Sequence, residues 1–543
     1  MQDDYPFDLG RYTRPVTSVP LAQRWFDRGL TWLYGYNHEE AIACFEKAIG
    51  ADPDLAFAHW GIAYAIGPNC NKPWEVFTEA EKAPALKTAH DAIARGLACA
   101  GLGAAERALL KALAERYPED PSIEDYEPWT NAFAARMREI QARFPEDLEV
   151  TFITAEALMN RTPWQLWNLA TGAPNPEGDA LEAKALLDAA FQRPEAWDHP
   201  GLLHMYVHLM EMSPTPEAAL RHGDRLTGLC PDAGHLVHMA THIDVLCGDY
   251  QNVVARNHAA ADADDLFTAY AGRENFYALY RIHNLHFEVY GAMFLAQPSV
   301  ALAASDRLRA EVPDEVVAVY PDLFETFVAS KPHVLIRFGM WEAILEEAVP
   351  ENAELYAVTR ALMFYARAVA LANLGRASEA EAEAARFDAA YEAIPDTRKL
   401  FQNKARDVLD VARAMMRGEL TYKAGRVDEG LAHLRAAVAL DDGLYYEEPW
   451  AWPQPTRHAL GALLMEAGRY DEAEAVYRAD LGLDPALPRA LQNPGNIWAL
   501  HGLDECLARR AEAVERPHIA RHLQQAAARA EIAIMASCAC RSV

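Results

Sequence analysis

The sequence has no run of about 18 apolar residues, so no segment reads as a membrane-spanning helix. It is short of positive charge: 50 Lys and Arg stand against 79 Asp and Glu, a net charge of −29. That excess repels a phosphate backbone and argues against a nucleic-acid ligand. The eight cysteines are scattered, and none stands in a zinc-ribbon spacing. Most read as small buried apolar residues, which fits a reducing, cytoplasmic setting. The last four residues, Cys540-Arg541-Ser542-Val543, lack the aliphatic pair of a prenylation box. The acidic opening, Met1-Gln2-Asp3-Asp4-Tyr5, does not read as a secretory leader. There is no phosphate-cradling glycine loop, dinucleotide fingerprint or serine nucleophile elbow. No low-complexity linker marks a domain boundary, so residues 1–543 are expected to form one continuous superhelix.

What is present is a 34-residue period. In residues 22–55, Trp25, Gly29, Trp32, Ala41, Phe45, Ala48 and Pro53 fall at offsets 4, 8, 11, 20, 24, 27 and 32. Small residues at 8 and 20 let two helices approach, large ones fill the remaining space, and Pro53 ends the second helix. Residues 454–487 repeat the pattern with Leu460-Gly461, the turn Gly468-Arg469-Tyr470, Ala473, Tyr477 and Pro485. Residues 411–444 do so with Gly418, the turn Gly425-Arg426-Val427 and Ala437. More degenerate units fit near 200–233, 234–267 and 282–315, and others start near Leu148 and Glu325. Between units lie Pro68–Pro73, Arg161–Gly178 and Tyr445–Pro455, rich in Pro, Asn and Trp, which read as ordered insertions.

This pattern resembles the tetratricopeptide repeat family over nearly the whole chain. A bacterial group of such proteins is similar in particular stretches: Gly67-Pro68-Asn69; His199-Pro200-Gly201 with His204, His208 and Glu211; Gly234-His235-Leu236-Val237-His238-Met239 with Thr241-His242; His283-Asn284-Leu285-His286; and Lys331-Pro332-His333. A fainter likeness to tetratricopeptide repeat protein 38 rests on His204–Glu211 and on His283 with His286. The resemblance implies an all-α solenoid of stacked antiparallel helix pairs with ordered loop insertions, and carries no activity with it.

The histidines carry the chemistry. Ten of the 19 lie between His199 and His286, where an even spread would put about three. His204, His208 and Glu211 are spaced i, i+4, i+7; His235, His238 and His242 are i, i+3, i+7; His283 and His286 are i, i+3. Each set shares one helix face. On the repeat ruler these residues, with His333 and Glu156, fall at offsets 2, 5, 9 and 12, which line the concave groove of the family's fold. His59 stands at a packing offset, and His199 precedes a helix as a cap or turn residue. His458 is at a groove offset three units away and is assigned to another part of the surface.

Seven imidazoles gathered in one groove repel when protonated, and when neutral they need partners. A transition metal answers both needs. The set His204, His208, His235, His238, His242, His283, His286 and His333 suits two ions, with copper favoured by its nitrogen-rich character and iron or zinc as alternatives. Glu211 and Glu156 are the available catalytic carboxylates. The reading is a metal-dependent enzyme acting on a small-molecule or peptide substrate in the groove, most simply an oxidoreductase activating dioxygen. The alternatives are a metal-dependent hydrolase and a non-enzymatic protein-interaction scaffold. Against the scaffold, peptide grooves usually display Asn, Lys and Arg at these offsets. Trp164 with Trp167, and Trp74 with Tyr64, stand beside this groove but read as loop packing. Pro332, inside the helix of His333, is expected to kink it.

Overall fold

The computed structural model describes residues 5–273 and 275–542. Helix follows helix. The strands among the described residues are one antiparallel pair, Lys399–Leu400 with Asn403–Lys404, plus single bridges at Asn69–Lys72 and Trp167–Pro174. The protein is an all-α tetratricopeptide-like solenoid. It divides into two compact units: residues 1–243 with 259–281, and residues 244–258 with 282–543.

In the first unit, helices Pro20–Tyr34 and His38–Ala51 form a pair, followed by Ala56–Ala65. The device that holds them is visible in the sequence. A Cβ on Gly29 or on Gly61 would stand 2.5 Å from the Phe45 ring, so one phenyl ring fills the space between two glycine-bearing helices. Phe45 is fully buried. The second unit repeats the device. Gly461 and Gly502 both face the buried Tyr477 ring, at 2.5 and 2.2 Å, and Gly418 faces Leu434 at 2.7 Å. There the pairs are Ala405–Lys423 with Val427–Asp441 and Thr456–Glu466 with Tyr470–Asp480. Gly425 and Gly468 end the first helix of each pair at φ +83° and +74°, where a glycine meets no Cβ penalty.

The insertions are ordered by packing. Trp74 stacks on Tyr126 at 4.4 Å, and Trp167 is buried with its indole N–H donating to the Leu209 carbonyl at 2.6 Å. Trp450 stacks on Tyr290 at 5.5 Å. Pro332 produces a break rather than a kink. Helix Pro321–Val328 ends and Ser330–Arg337 begins, because proline offers no N–H to the carbonyl four residues back and its ring crowds that turn. Cys538 and Cys540 are joined in a disulfide, and Cys44, Cys70, Cys99, Cys230 and Cys506 are thiols outside it. No helix among the described residues is long and apolar enough to cross a membrane.

Candidate functional site

Helix Pro200–Glu211 starts at His199, whose Nδ1 accepts the Leu202 amide at 3.3 Å; Pro200 suits the first helical position. His199 is therefore a cap. One turn apart on this helix, His204 and His208 have ring centroids 4.7 Å apart. Helix Gly234–Cys247 presents His235, His238 and His242. Together the five rings close a circuit. His208 lies 6.3 Å from His242, His242 4.7 Å from His238, His238 5.9 Å from His235, and His235 5.0 Å from His204. They do not line an open groove. His204 and His238 are fully buried, His235 and His242 are 1% exposed, and His208 is partly buried. Aromatic side chains cover the positions that a bare array would expose. Tyr36 stacks on His208 and His235, and Tyr280 lies 4.2 Å from His235.

Two polar groups organise the circuit. His204 Nδ1 donates to the Tyr34 carbonyl at 2.6 Å, which leaves Nε2 as a lone-pair nitrogen without a partner. His208 Nε2 and both nitrogens of His235 also lack partners. These three residues offer ligand atoms that all lie within 4.8 Å of one another. Burial drives them to the neutral, coordinating form. It lowers His204 to about 3, and burial followed by the neighbouring histidines takes His208 and His235 well below the ordinary imidazole value. On the other side, His242 Nδ1 donates to Glu211 Oε1 at 2.6 Å. That fixes its Nε2 as an acceptor, 2.7 Å from His238 Nε2, which donates. Glu211 thus orients a histidine.

Glu156 lies within the same unit but on other partners. Its Oε2 accepts from the Tyr64 hydroxyl, and the carboxyl is 1% exposed. Burial raises its pKa, although the nearby Arg116 guanidinium opposes the rise.

Tyr36 was not singled out by sequence. It occupies the turn position that Gly425 and Gly468 occupy in the later pairs, yet carries a side chain at φ +56°. A left-handed non-glycine residue costs about 1–2 kcal/mol. Here the strained residue is the one whose ring contacts His204, His208 and His235, at 4.7, 6.0 and 5.5 Å. The available signal was a tyrosine where the turn expects glycine.

The tetratricopeptide repeat family model matches residues 36–55 and 455–487. The chain carries tetratricopeptide repeats. No curated protein sequence matches it, so the likenesses to a bacterial group and to tetratricopeptide repeat protein 38 gain no support. Solved structures with related helical arrays include the Cut9–Hcn1 hetero-tetramer of the APC/C, at 11% identity and TM-score 0.31, covering 95% of this chain and 79% of that one. Yeast Tom70 aligns at 12% identity and TM-score 0.28, covering 92% and 91%. Naa15/Naa10 bound to HypK-THB aligns at 13% identity and TM-score 0.21, covering 93% and 70%. Overlaps this loose carry no argument about the repeat protein.

The second unit of this repeat protein holds the remaining candidates. His283 packs edge-on against Phe287 at 5.0 Å, His286 against Phe327 at 5.2 Å, and His333 against Trp452 at 4.9 Å. Burial lowers His286 to about 4; burial, then His286, lowers His333 to about 3. The same unit contains a polar chain that the repeat ruler misplaced. His458, expected on a surface, is 1% exposed. The Arg337 guanidinium donates to its Nδ1 at 2.7 Å, and its Nε2 donates to Asp480 at 2.9 Å. Asp480 also accepts from Asn493 and Asn496. Nothing local in the sequence joins Arg337 to His458.

Proposed function

We propose that the protein is a tetratricopeptide-repeat scaffold that binds other proteins. The observation that carries this reading is the family match at both ends of the chain, residues 36–55 and 455–487. Its net charge of −29 favours partners that present basic segments. A panel of basic, neutral and acidic peptides titrated into the full chain tests it: basic peptides are expected to bind, and uniform failure of the panel contradicts the reading.

A second reading, a metal-dependent enzyme, is favoured by one arrangement. His204, His208 and His235 place neutral nitrogens within 4.8 Å of one another, with His204 oriented by a carbonyl. Such a set suits one imidazole-bound ion, with copper first and zinc or iron next. In the dinuclear form of this reading a second ion would replace the proton shared by His238 Nε2 and His242 Nε2, with His242 oriented by Glu211. An ion held by these residues would supply dioxygen activation in the redox form, or a bound water of lowered pKa in the hydrolytic form, where Glu156 is the carboxylate not already engaged with a histidine. Elemental analysis of untagged protein decides. About one to two ions per chain, lost on His204→Ala with His235→Ala, support the reading, and metal-free protein from supplemented medium removes it.

A further inference from the structure

After helix Arg516–Ala527, residues 528–542 form neither helix nor strand, yet the second unit holds them along their length. Their backbone is gripped at four points. Gln297 Nε2 donates to the Arg529 carbonyl at 2.8 Å, and the Glu531 amide donates to the Ala296 carbonyl at 3.0 Å. Arg337 Nη1 donates to the Ser537 carbonyl at 3.1 Å, and the Ser542 amide donates to Glu466 Oε2 at 2.9 Å. Main-chain bonds of this kind give affinity to an extended segment, and side-chain contacts give selectivity. Ser537 Oγ donates to the His458 carbonyl at 2.9 Å and accepts from the Tyr477 hydroxyl at 2.6 Å. Ala539 sits against Gly339, where a Cβ would stand 2.8 Å away. Arg541 meets Glu505 through two bonds, of 2.6 and 2.9 Å, in the paired geometry that guanidinium and carboxylate favour.

The gripping residues belong to the first helices of successive pairs. Arg337 lies on Ser330–Arg337, His458 and Glu466 on Thr456–Glu466, and Glu505 on Ile497–Arg509. Met415 and Glu419 stand at offsets 5 and 9 of the unit 411–444, which are groove positions like that of His458. These three residues line one cavity with Tyr365, Trp452 and Cys538 of the segment. The segment does not complete that cavity, since the buried Trp452 indole N–H has no protein partner.

We propose that this face of the second unit is a docking site for an extended, arginine-bearing segment of a partner protein, and that residues 529–542 occupy it in cis until such a segment displaces them. This rests on the scaffold reading and gives it a surface. A tethered segment acts at an effective concentration of about millimolar, and a competitor's apparent affinity falls with the fraction of chains whose face is open.

The test is fluorescence anisotropy with a labelled peptide of residues 529–542, closed by the Cys538–Cys540 disulfide, titrated with the full chain and with its Arg541→Glu variant, which sets a carboxylate against Glu505. The variant is expected to bind the peptide at least tenfold more tightly than the parent. A peptide that itself carries Arg541→Glu is expected not to bind. A chain ending at Ala528 should bind at least as well as the variant, and Arg541→Glu decides alone if that chain loses its helical spectrum. Equal binding by variant and parent, or equal binding of the two peptides, overturns the proposal. Basic peptides that bind parent and variant equally, with the 529–542 peptide unbound, remove this surface and leave the scaffold reading standing. A basic panel unbound by both chains removes the scaffold reading and the partner with it.

Discussion

The side chain that decides most in the first unit is Tyr36. It holds a left-handed backbone at φ +56° and lays its ring on three histidines. Replacing it by glycine relaxes the backbone and removes that ring. Because loss of a buried aromatic costs about 3–5 kcal/mol and the strain relieved is about 1–2, Tyr36→Gly should destabilise the protein by about 1–4 kcal/mol in urea unfolding. The histidine spacings were legible from i, i+3 and i+4 alone. Their burial was not, because the repeat ruler says which face a residue takes and not what covers that face. A residue free of these questions tests the pH behaviour. His222 is wedged among Tyr206, Trp197 and Phe191, with ring centroids 3.9, 4.7 and 4.6 Å away. Burial lowers it to about 4 from 6.5. The unfolded chain therefore takes up a proton before the folded one does, and stability is lost as pH falls from about 6.5 towards about 4. His222→Phe should remove this loss. Between pH 8 and pH 5 the parent should lose about 1–2 kcal/mol more than the variant in chemical unfolding, and equal losses contradict the assignment.

Among the elements, the glycines separate two roles. Gly29 and Gly461 give room to a ring, whereas Gly425 gives a turn its hand. A methyl at Gly461 meets the Tyr477 ring at 2.5 Å, so Gly461→Ala should cost about 1–3 kcal/mol through overpacking. Gly425→Ala meets nothing within 4 Å and pays only for its positive φ, about 1 kcal/mol. Thermal unfolding of the two variants should rank them in that order. These helix pairs were legible because a small residue at one offset and a ring at another must interlock. The break before Ser330 was legible only as a disturbance: Pro332 marks the helix, but whether the chain kinks or restarts depends on what the preceding turn packs against.

For the whole molecule, the all-α repeat class was readable from period and composition. The division into two units was not. Its boundaries at 243, 258 and 281 fall within helices Gly234–Cys247, Tyr250–Ala271 and Ala278–Phe294 rather than in the connections between them. The Arg337–His458–Asp480 chain was equally hidden, since its members lie 121 and 22 residues apart. The strongest statement at this scale concerns partners. A repeat protein of net charge −29 should select basic segments through its field, and that selection should weaken as salt screens it. The direct measurement is binding of a basic peptide pool and a sequence-matched acidic pool to the full chain, by fluorescence anisotropy at about 0.05 and 0.5 M salt, a range over which the Debye length falls severalfold. The account predicts binding by members of the basic pool, at least tenfold weaker at high salt, with the acidic pool unbound. Equal binding of both pools, or no binding by either, would contradict it.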